Sequence, residues 1–466
     1  MSLSQPSAVR GRERTRAETL RKKLDDEGWQ LHDPKEDSLV LPHFSRHNLY
    51  IRLICDTPKD NIDIFLHFMS QDLLQTIWNG QIEDDPNVWE YDSSDGTKRT
   101  INSNEFKFKT ILKFLAVKVR IQGLQIPQKG LKTEYPLRAN IHEAKDHFEQ
   151  LIENAEFPGH KILSRLISRF LLESRYYEQL SQKFISLVEK LGEYVAGDEK
   201  LLPFSGQSGN VRKKSDGPVG LWYYELSGLL SKDANLRYMM HKSEKERDVI
   251  MSTAEAVGKW CICIKSKENT LCTILVMDQY YPSIDSLAKL DRYDVKYIAG
   301  GNTGRFQDWT NFMTPYVTNV GKWKAIHNRL TNKTCVMYYQ RNDTSGNKKI
   351  QKRQLVLSNV HRSRVKQRGE PKIVPIYDDY AKAYNVCDKF NQSLSKRYWS
   401  HKHGSKDCPG EYGQQDNFAF SVLLPNVRNV WLMVNKKEGK DISHKDFCID
   451  LSDKLYHRAM LITYTF

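Results

Sequence analysis

Two aspartates that lie in or after apolar runs could take part in metal-dependent chemistry. Asp278 follows the run Thr273–Met277, and Asp198 lies in the segment Gly197–Phe204. Carboxylate oxygens are ligands that Mg²⁺ and Mn²⁺ prefer, and paired metal ions bound in this way promote phosphodiester chemistry. We expect each acid to end a buried strand and to face a shared pocket. The pattern predicts a divalent-metal site, with a turn former or helix N-cap as the simpler role of either aspartate.

The charge balance favours a polyanionic partner. Lys and Arg total 71 residues against 57 Asp and Glu, which gives a formal net charge of +14. Such an excess is typical of proteins that bind nucleic acid, and a basic protein without such a partner is the alternative. The chain has 466 residues, of which 39% are hydrophobic, and this length predicts two or three domains with real cores.

The sequence features that bear on localisation argue against membrane insertion and secretion. No apolar run approaches the roughly 20 residues that cross a bilayer, and the N-terminus lacks the apolar core of a signal peptide. The cysteines are scattered without a C-x-x-C pair, which indicates reduced thiols in the nucleus or cytosol. The basic cluster within residues 10–23 could be a nuclear-import signal, a phosphate-binding arm or a solvated tail. We predict a nuclear protein.

The predicted secondary structure changes from mainly helical to mixed near Glu193. Before it, apolar spacing predicts mainly helices, including one over Asp60–Trp78 and one over Phe106–Ile121. After it, β-type runs alternate with a helix over Ser283–Leu290, as in an α/β core. The strand candidates of this core are Leu221–Leu226, Trp260–Ile264, Leu271–Met277 and Val295–Ala299. Further candidates follow, with strands at Cys335–Tyr339 and Gln354–Leu357 and a helix over Asp416–Val434.

The segments around both aspartates resemble motifs of piggyBac-type transposases. Gly197–Gly206 (GDEKLLPFSG) resembles the family's D-E-x-hydrophobic-x-P/G-F-x-G segment, and Val276–Ile284 (VMDQYYPSI) resembles its D-N-[FY]-[FY]-T-S segment. Gly220–Trp222 resembles a strand of the family, and Asn61–Leu74 resembles its first helix. The resemblance extends from about residue 60 to about residue 435.

The resemblance implies a site of three carboxylates that bind two divalent metals on an RNase H-like fold. The first two positions correspond to Asp198 and Asp278. The third lies in a family segment Y-[NK]-x-x-M-G-G-V-D-x-x-D-Q, and alignment on Tyr377 and Asp388 puts Asn385 there. Lys and Ala at 382–383 replace the paired glycines of the family.

An asparagine at the third position changes the expected chemistry. The amide oxygen of Asn385 can coordinate a metal, but it brings no charge to offset the repulsion between two cations. We therefore expect weaker binding of the second metal. Asp388 lies three residues further on, on the same helical face, and is the alternative third ligand.

Basic residues near these motifs are candidate DNA contacts, with solvated loops as the alternative. They are Lys213, Lys214, Arg362, Arg364, Lys366, Arg368, Lys396 and Arg397. The spacing of His401, His403 and Cys408 matches no common zinc pattern. We expect no zinc, and no Cys-rich zinc module of the kind that family members use to bind DNA ends.

The expected fold class is α/β, with an RNase H-like catalytic core that carries a β-rich insertion and follows a mainly helical N-terminal domain. The expected divisions are a basic tail that is disordered or weakly helical (1–36), a helical dimerisation or DNA-binding region (37–192), the first part of the core (193–300), the β-rich insertion with a basic strip (301–370), the C-terminal helices of the core (371–435) and a C-terminal helical tail (436–466).

The resemblance implies cut-and-paste transposition of double-stranded DNA into TTAA targets, with Mg²⁺ or Mn²⁺ as the cofactor. It also implies a homodimer and no small-molecule cofactor. Whether the chain is an enzyme stays open, because Asn385 replaces a carboxylate. The alternative is a catalytically degenerate, host-adopted derivative that binds DNA or chromatin without cutting it. A nuclease of the same fold is the third hypothesis.

Overall fold

A computed structural model gives the architecture of the protein. The residues that it describes are 7–31, 50–84, 90–92, 98–100, 108–124, 172–203, 211–213, 219–231, 235–242, 245–246, 249–267, 273–319, 322–328, 330–342, 350–360, 380, 386–387, 411–438 and 441–462. They form a mixed α/β fold.

The helices in this part of the chain are α1 Ser7–Asp26, α2 Asn61–Phe68, α3 Gln71–Asp84, α4 Phe108–Leu124, α5 Tyr177–Ser186, α6 Thr253–Lys265, α7 Ile284–Arg292, α8 Gln307–Met313, α9 Glu411–Val434 and α10 His444–Leu461. The strands are β1 Trp29–Leu31, β2 Arg52–Leu53, β3 Glu90–Asp92, β4 Lys98–Thr100, β5 Val188–Lys190, β6 Tyr194–Pro203, β7 Val211–Lys213, β8 Val219–Leu229, β9 Asn235–Lys242, β10 Lys245–Glu246, β11 Val249–Ile250, β12 Ile274–Met277, β13 Lys296–Gly301, β14 Trp323–Asn328, β15 Lys333–Asn342 and β16 Ile350–Ser358.

The chain forms two compact units whose segments interleave along the sequence. The first unit takes its described residues from 1–50, 190–198 and 251–387. The second takes them from 51–189, 199–250 and 388–466. Asp198 and Asp278 both belong to the first unit.

The first unit is built on a mixed sheet in the strand order β1–β14–β15–β16–β13–β12–β6. β12 runs parallel to β13 and β6, and the other neighbours are antiparallel. Every residue of β12 is buried, as expected for a strand that is covered on both faces. The core of the unit includes Tyr194, Ile274, Val276, Ile298, Ala325, Val336, Val356 and Val360.

The strand predicted at Trp260–Ile264 is wrong, because these residues lie in helix α6. Ser252 and Glu255 form a capping box that starts the helix. The buried residues of α6 recur at helical spacing, whereas Ile262 is 56% exposed. The helical period and the cap therefore outweigh the β propensity of a short apolar run.

Of the two alternatives predicted for residues 1–36, disorder is wrong over 7–31, where α1 and β1 form, and the helical alternative is confirmed over Ser7–Asp26. β1 pairs antiparallel with β14, and Trp29 is buried against Trp309 with 4.5 Å between the ring centroids. Lys23 Nζ also lies 2.6 Å from a carboxylate oxygen of Asp308. Because the segment is strongly basic, the anchoring role of Trp29 was not predicted from the sequence.

The strands predicted at Cys335–Tyr339 and Gln354–Leu357 are confirmed by β15 and β16. β16 pairs antiparallel with β13, so these strands extend the sheet of the first unit. The helix predicted at Ser283–Leu290 is confirmed by α7.

The second unit contains the helices α2–α5, α9 and α10 and the hairpin of β8 and β9. The single helix predicted over Asp60–Trp78 is wrong, because the chain leaves helical geometry at Met69 and resumes it in α3. α10 packs along α4, where Ser452 Oγ donates to the carbonyl of Ala116 at 2.7 Å. Within the described residues, no helix combines the length and apolar character needed to span a bilayer.

Candidate catalytic site

The pairing of β6 with β12 puts the two aspartates at matching positions along the chain. The strands are parallel, and their last register pair joins Met277 to Gly197. Asp198 follows Gly197 within β6, and Asp278 directly follows the last residue of β12, so the two acids occupy adjacent positions at the end of this pairing. Neighbouring strands lie about 4.8 Å apart. The register therefore brings the two acids side by side, and both are partly exposed.

The two acids differ in their place along the strand. β12 ends at Met277, so the expectation that Asp278 follows a buried strand is confirmed. The same expectation for Asp198 is wrong, because β6 continues to Pro203. The continuation has a physical reason, since β6 has β8 as a second hydrogen-bonded neighbour.

Two adjacent carboxylates suit a divalent cation, which takes oxygen ligands. In the part of the chain that the structure describes, no group of three or more His, Cys, Asp and Glu could hold a metal ion. The fit to a cation therefore depends on the carboxylates of Asp198 and Asp278.

A glycine and a tryptophan shape the strand just before Asp198. A Cβ added to Gly197 would lie 2.6 Å from the ring of Trp260, so only glycine fits without a shift. Trp260 is fully buried in α6, and its ring centroid lies 4.7 Å from that of Tyr281 in the turn after Asp278. This aromatic pair links the surroundings of the two acids. This pair was not predicted from the sequence, although the amphipathic spacing of the residues around Trp260 indicates a helix with Trp260 on its buried face.

The turn that follows Asp278 is held by its own hydrogen bonds. The backbone N–H of Tyr280 donates to Asp278 Oδ1 at 2.6 Å. Ser283 caps α7 by accepting from the N–H of Ser286 at 3.1 Å, and Ser286 Oγ donates to the carbonyl of Tyr281 at 2.8 Å. The carboxylate of Asp278 is thereby tied to the start of α7.

A glycine near the end of β13, Gly300, lets the turn after Asp278 pack closely against this strand. A Cβ on Gly300 would lie 3.0 Å from the backbone nitrogen of Gln279 and 2.9 Å from the hydroxyl oxygen of Tyr380. Cys387 is helical and buried, and its Sγ donates to the carbonyl of Ala196 in β6 at 3.2 Å. Segments that are distant in sequence thus converge on β6 and on the turn after β12.

Most of the other predicted site residues lie outside the described residues, so their positions stay predictions. The third-position candidates Asn385 and Asp388 lie outside the described residues. Lys213 ends β7, opposite Val219 of β8, and belongs to the second unit. The remaining candidate DNA contacts lie outside the described residues, as do the histidines and cysteine weighed for zinc: Lys214, Arg362, Arg364, Lys366, Arg368, Lys396, Arg397, His401, His403 and Cys408.

Burial disfavours the ionised form of the cysteine thiols on α6 and β15. Burial raises the pKa of Cys261 and Cys263 to about 12. Burial also raises the pKa of Cys335. Because the thiolate is the nucleophilic form, these three residues are unsuited to nucleophilic catalysis at neutral pH.

No protein-family model matches the chain, and no curated protein matches it. Among solved structures, the chain is similar to the cryo-EM structure of a piggyBac transposase synaptic complex with hairpin DNA. The TM-score is 0.59 at 14% sequence identity, and the match covers 88% of this chain and 84% of that chain. The fold of the chain is therefore distantly similar to that of a piggyBac transposase.

Proposed function

We propose that this chain is a piggyBac-like, transposase-derived protein whose DNA-cleaving site is built on Asp198 and Asp278. The observation that carries the proposal is the parallel register of β6 and β12, which puts the two acids at adjacent positions. The sequence motifs around the same two residues resemble those of piggyBac-type transposases. The fold similarity supports this assignment independently of those motifs.

The proposal includes an RNase H-like catalytic core. The parallel strands β6, β12 and β13 would form its centre. The antiparallel hairpin of β8 and β9, which follows β6 in the chain, is compatible with it. The acids would then stand at the edge of the central strands, where ligands of α/β folds commonly bind.

Mg²⁺ or Mn²⁺ bound at this edge would supply Lewis acidity toward a phosphate oxygen of the DNA. Asp198 and Asp278 would hold the ion through their carboxylate oxygens. The strand register fixes the spacing of the two residues, and the N–H of Tyr280 restrains the Asp278 carboxylate. A carboxylate oxygen that accepts one hydrogen bond keeps lone-pair capacity for a metal.

Asn385 or Asp388 would complete the site in this proposal. The contact of Cys387 with Ala196 supports it, because Cys387 lies between these two residues in sequence and Ala196 lies two residues before Asp198. An amide oxygen at the third position would lower the negative charge of the site. The binding of a second cation would then be weakened most.

The second candidate function is a host-adopted derivative that binds DNA or chromatin without cutting it. The observation that favours it is the neutral Asn385 where the family motif has a carboxylate. Both candidates share double-stranded DNA as partner, which the net charge of +14 supports. We further propose homodimeric assembly, nuclear localisation and, for the active form, transfer into TTAA targets.

Strand nicking of DNA that carries the flanking sequences of the gene tests the proposal. We expect wild-type protein to nick this DNA with Mg²⁺ or Mn²⁺ and to lose activity when the metal is chelated. Asp198→Asn and Asp278→Asn should lower nicking about 100-fold or more while DNA binding persists. Asp285→Asn, an exposed acid on α7, serves as the matched control.

The outcomes separate the two candidate functions. Absence of nicking by wild type, with retained DNA binding, would favour the host-adopted derivative. Nicking that appears only in Asn385→Asp would identify the missing carboxylate as the cause. Equal nicking by wild type and by both aspartate variants would overturn the proposed site.

A further inference from the structure

Arg305 holds the turn that carries Asp278. We propose that Arg305 is a positioning residue, which fixes the Asp278 carboxylate by anchoring the backbone of residues 280–282. The consequence for metal binding rests on the proposed function, whereas the anchoring itself rests on contacts within the first unit.

The turn offers three successive carbonyl groups, and each accepts a hydrogen bond from a side chain. Arg305 Nη1 donates to the carbonyl of Tyr280 and, at 3.3 Å, to the carbonyl of Pro282. Ser286 Oγ donates to the carbonyl between them, that of Tyr281. The turn is thereby fixed to the loop after β13 and to the first turn of α7.

Tyr280 connects the guanidinium to the carboxylate. Its N–H donates to Asp278 Oδ1 at 2.6 Å, and its carbonyl accepts from Arg305. The guanidinium carbon also lies 5.6 Å from the centroid of the Tyr280 ring, within the range of a cation–π contact. Movement of Arg305 would therefore release the residue that restrains the Asp278 carboxylate.

The backbone around Arg305 is itself well fixed. Asn302 Oδ1 accepts from the N–H groups of Gly304 at 2.9 Å and Arg305 at 3.2 Å. The next residue, Phe306, is buried and stacks on Trp309 with 4.8 Å between the ring centroids. Because β13 runs parallel to β12, the loops that follow the two strands lie at the same edge of the sheet. Arg305 is thus presented to the Asp278 turn by a fixed loop.

Arginine suits this role better than lysine. Both carbonyl contacts come from one nitrogen, Nη1, while the guanidinium carbon lies over the Tyr280 ring, and a compact ammonium group does not reproduce this combination of contacts. A lysine at position 305 would retain the positive charge but lose part of this geometry. The comparison of Arg305→Lys with Arg305→Gln therefore separates charge from anchoring.

Hydrogen exchange of the full-length chain, measured by mass spectrometry, tests the anchoring without any metal. We expect Arg305→Gln to raise the exchange rate of the peptide over residues 278–283 by about 10-fold, and Arg305→Lys to raise it less. Arg292→Gln, which removes an exposed arginine from the far end of α7, should leave that peptide unchanged. Peptides from β15 report whether the variants are folded.

Titration of the protein with Mn²⁺ in a calorimeter tests whether anchoring of the turn by Arg305 strengthens metal binding. Arg305→Gln should weaken Mn²⁺ binding about 10-fold, which is the lower end of the effect found for residues that orient metal ligands. Arg292→Gln should bind Mn²⁺ with the affinity of wild type. Unchanged exchange in Arg305→Gln, or raised exchange with unchanged Mn²⁺ affinity, would overturn the inference. A loss of DNA affinity alone would assign Arg305 to DNA contact instead and would also overturn it.

These readouts also separate failure of the inference from failure of the proposed function. If wild type neither binds Mn²⁺ nor nicks DNA, the proposed metal site is wrong. The exchange experiment still decides in that case whether Arg305 anchors the turn.

Discussion

At the scale of single residues, Gly197 sets how closely Trp260 approaches the strand that carries Asp198. A Cβ at position 197 would lie 2.6 Å from a ring that is fully buried and packed on Tyr281. Real Cβ atoms do not tolerate such a distance, and the ring has little room to move. The glycine before Asp198 is therefore a packing requirement of this site.

Gly197→Ala should lower the free energy of unfolding by about 1–3 kcal/mol, because overpacking a close contact forces the ring or the strand to shift. The measurement is urea denaturation followed by tryptophan fluorescence. Gly258→Ala is the matched control, since its Cβ would meet only Lys289 Cδ at 3.8 Å. Alanine favours a helix, so the control should be neutral or stabilising by up to about 1 kcal/mol. Equal stability of Gly197→Ala and wild type would contradict this account.

The sequence allowed prediction of the two acids but not of the residues that hold them. Asp278 follows an apolar run, and the motifs around both acids are local, so both could be read from short segments. Arg305 is 27 residues beyond Asp278, and its role depends on the parallel pairing of β12 with β13. Such an interaction exists only after the sheet has formed, and a single arginine in a loop segment gives no local signal for it.

At the scale of elements, the second unit joins β8, β9 and α9 through buried polar groups. Arg237 Nη1 lies 2.5 Å from Glu225 Oε1, and neither side chain is exposed. Asn426 of α9 accepts from the N–H of Arg237 at 3.0 Å and donates to its carbonyl at 2.6 Å. Charged groups this deeply buried are costly unless they are paired. The ion pair thus ties the strand hairpin together where the helix contacts it.

Glu225→Gln should lower the free energy of unfolding by about 3–5 kcal/mol, because it leaves the Arg237 charge buried beside a neutral group. Replacing both residues by methionine should cost less than this single change, since no uncompensated charge remains. Thermal and urea unfolding of the two variants and of wild type measure the difference. A single variant as stable as the double variant would contradict the prediction.

The elements also show where sequence periodicity suffices and where it does not. Strands β8, β13, β15 and β16 and helix α7 were predicted from local pattern and confirmed, because the strands are continuous apolar runs rich in aromatic or β-branched residues and the buried residues of α7 recur at helical spacing. Helix α6 was predicted as a strand from five residues, which is too short a window to distinguish the two periods. β1 was missed because a strand of three residues in a charged segment is stabilised by pairing with β14 and by burial of Trp29.

At the scale of the whole molecule, the chain passes repeatedly between its two units, and β6 is divided between them at Asp198. No local composition marks such a division, because the contacts that define each unit join segments that are far apart in the sequence. The net charge of +14 belongs to this scale too, because it acts on a polyanion through the summed field of many residues.

Binding of double-stranded DNA should therefore depend steeply on salt. If six or more phosphates are neutralised by the protein, affinity should fall about 1,000-fold or more between 50 and 200 mM salt, because each neutralised phosphate releases a counterion. Fluorescence anisotropy with labelled duplex DNA measures the slope of log K against log salt concentration. The predicted basic strip consists of Lys352, Arg353, Arg362, Arg364, Lys366 and Arg368. Substitution of its last four residues by glutamine should reduce that slope by about one for each phosphate that the variant no longer neutralises.

A second four-charge variant controls for the change in net charge. Lys59, Lys436, Lys437 and Lys445 are exposed on the second unit, and their replacement by glutamine removes the same charge as replacement of the last four residues of the basic strip. If the basic strip binds DNA, its variant should show a larger decrease in slope and in affinity than this control. Equal effects of the two variants would mean that the strip acts only through net charge, and the assignment of those four residues to DNA binding would be wrong.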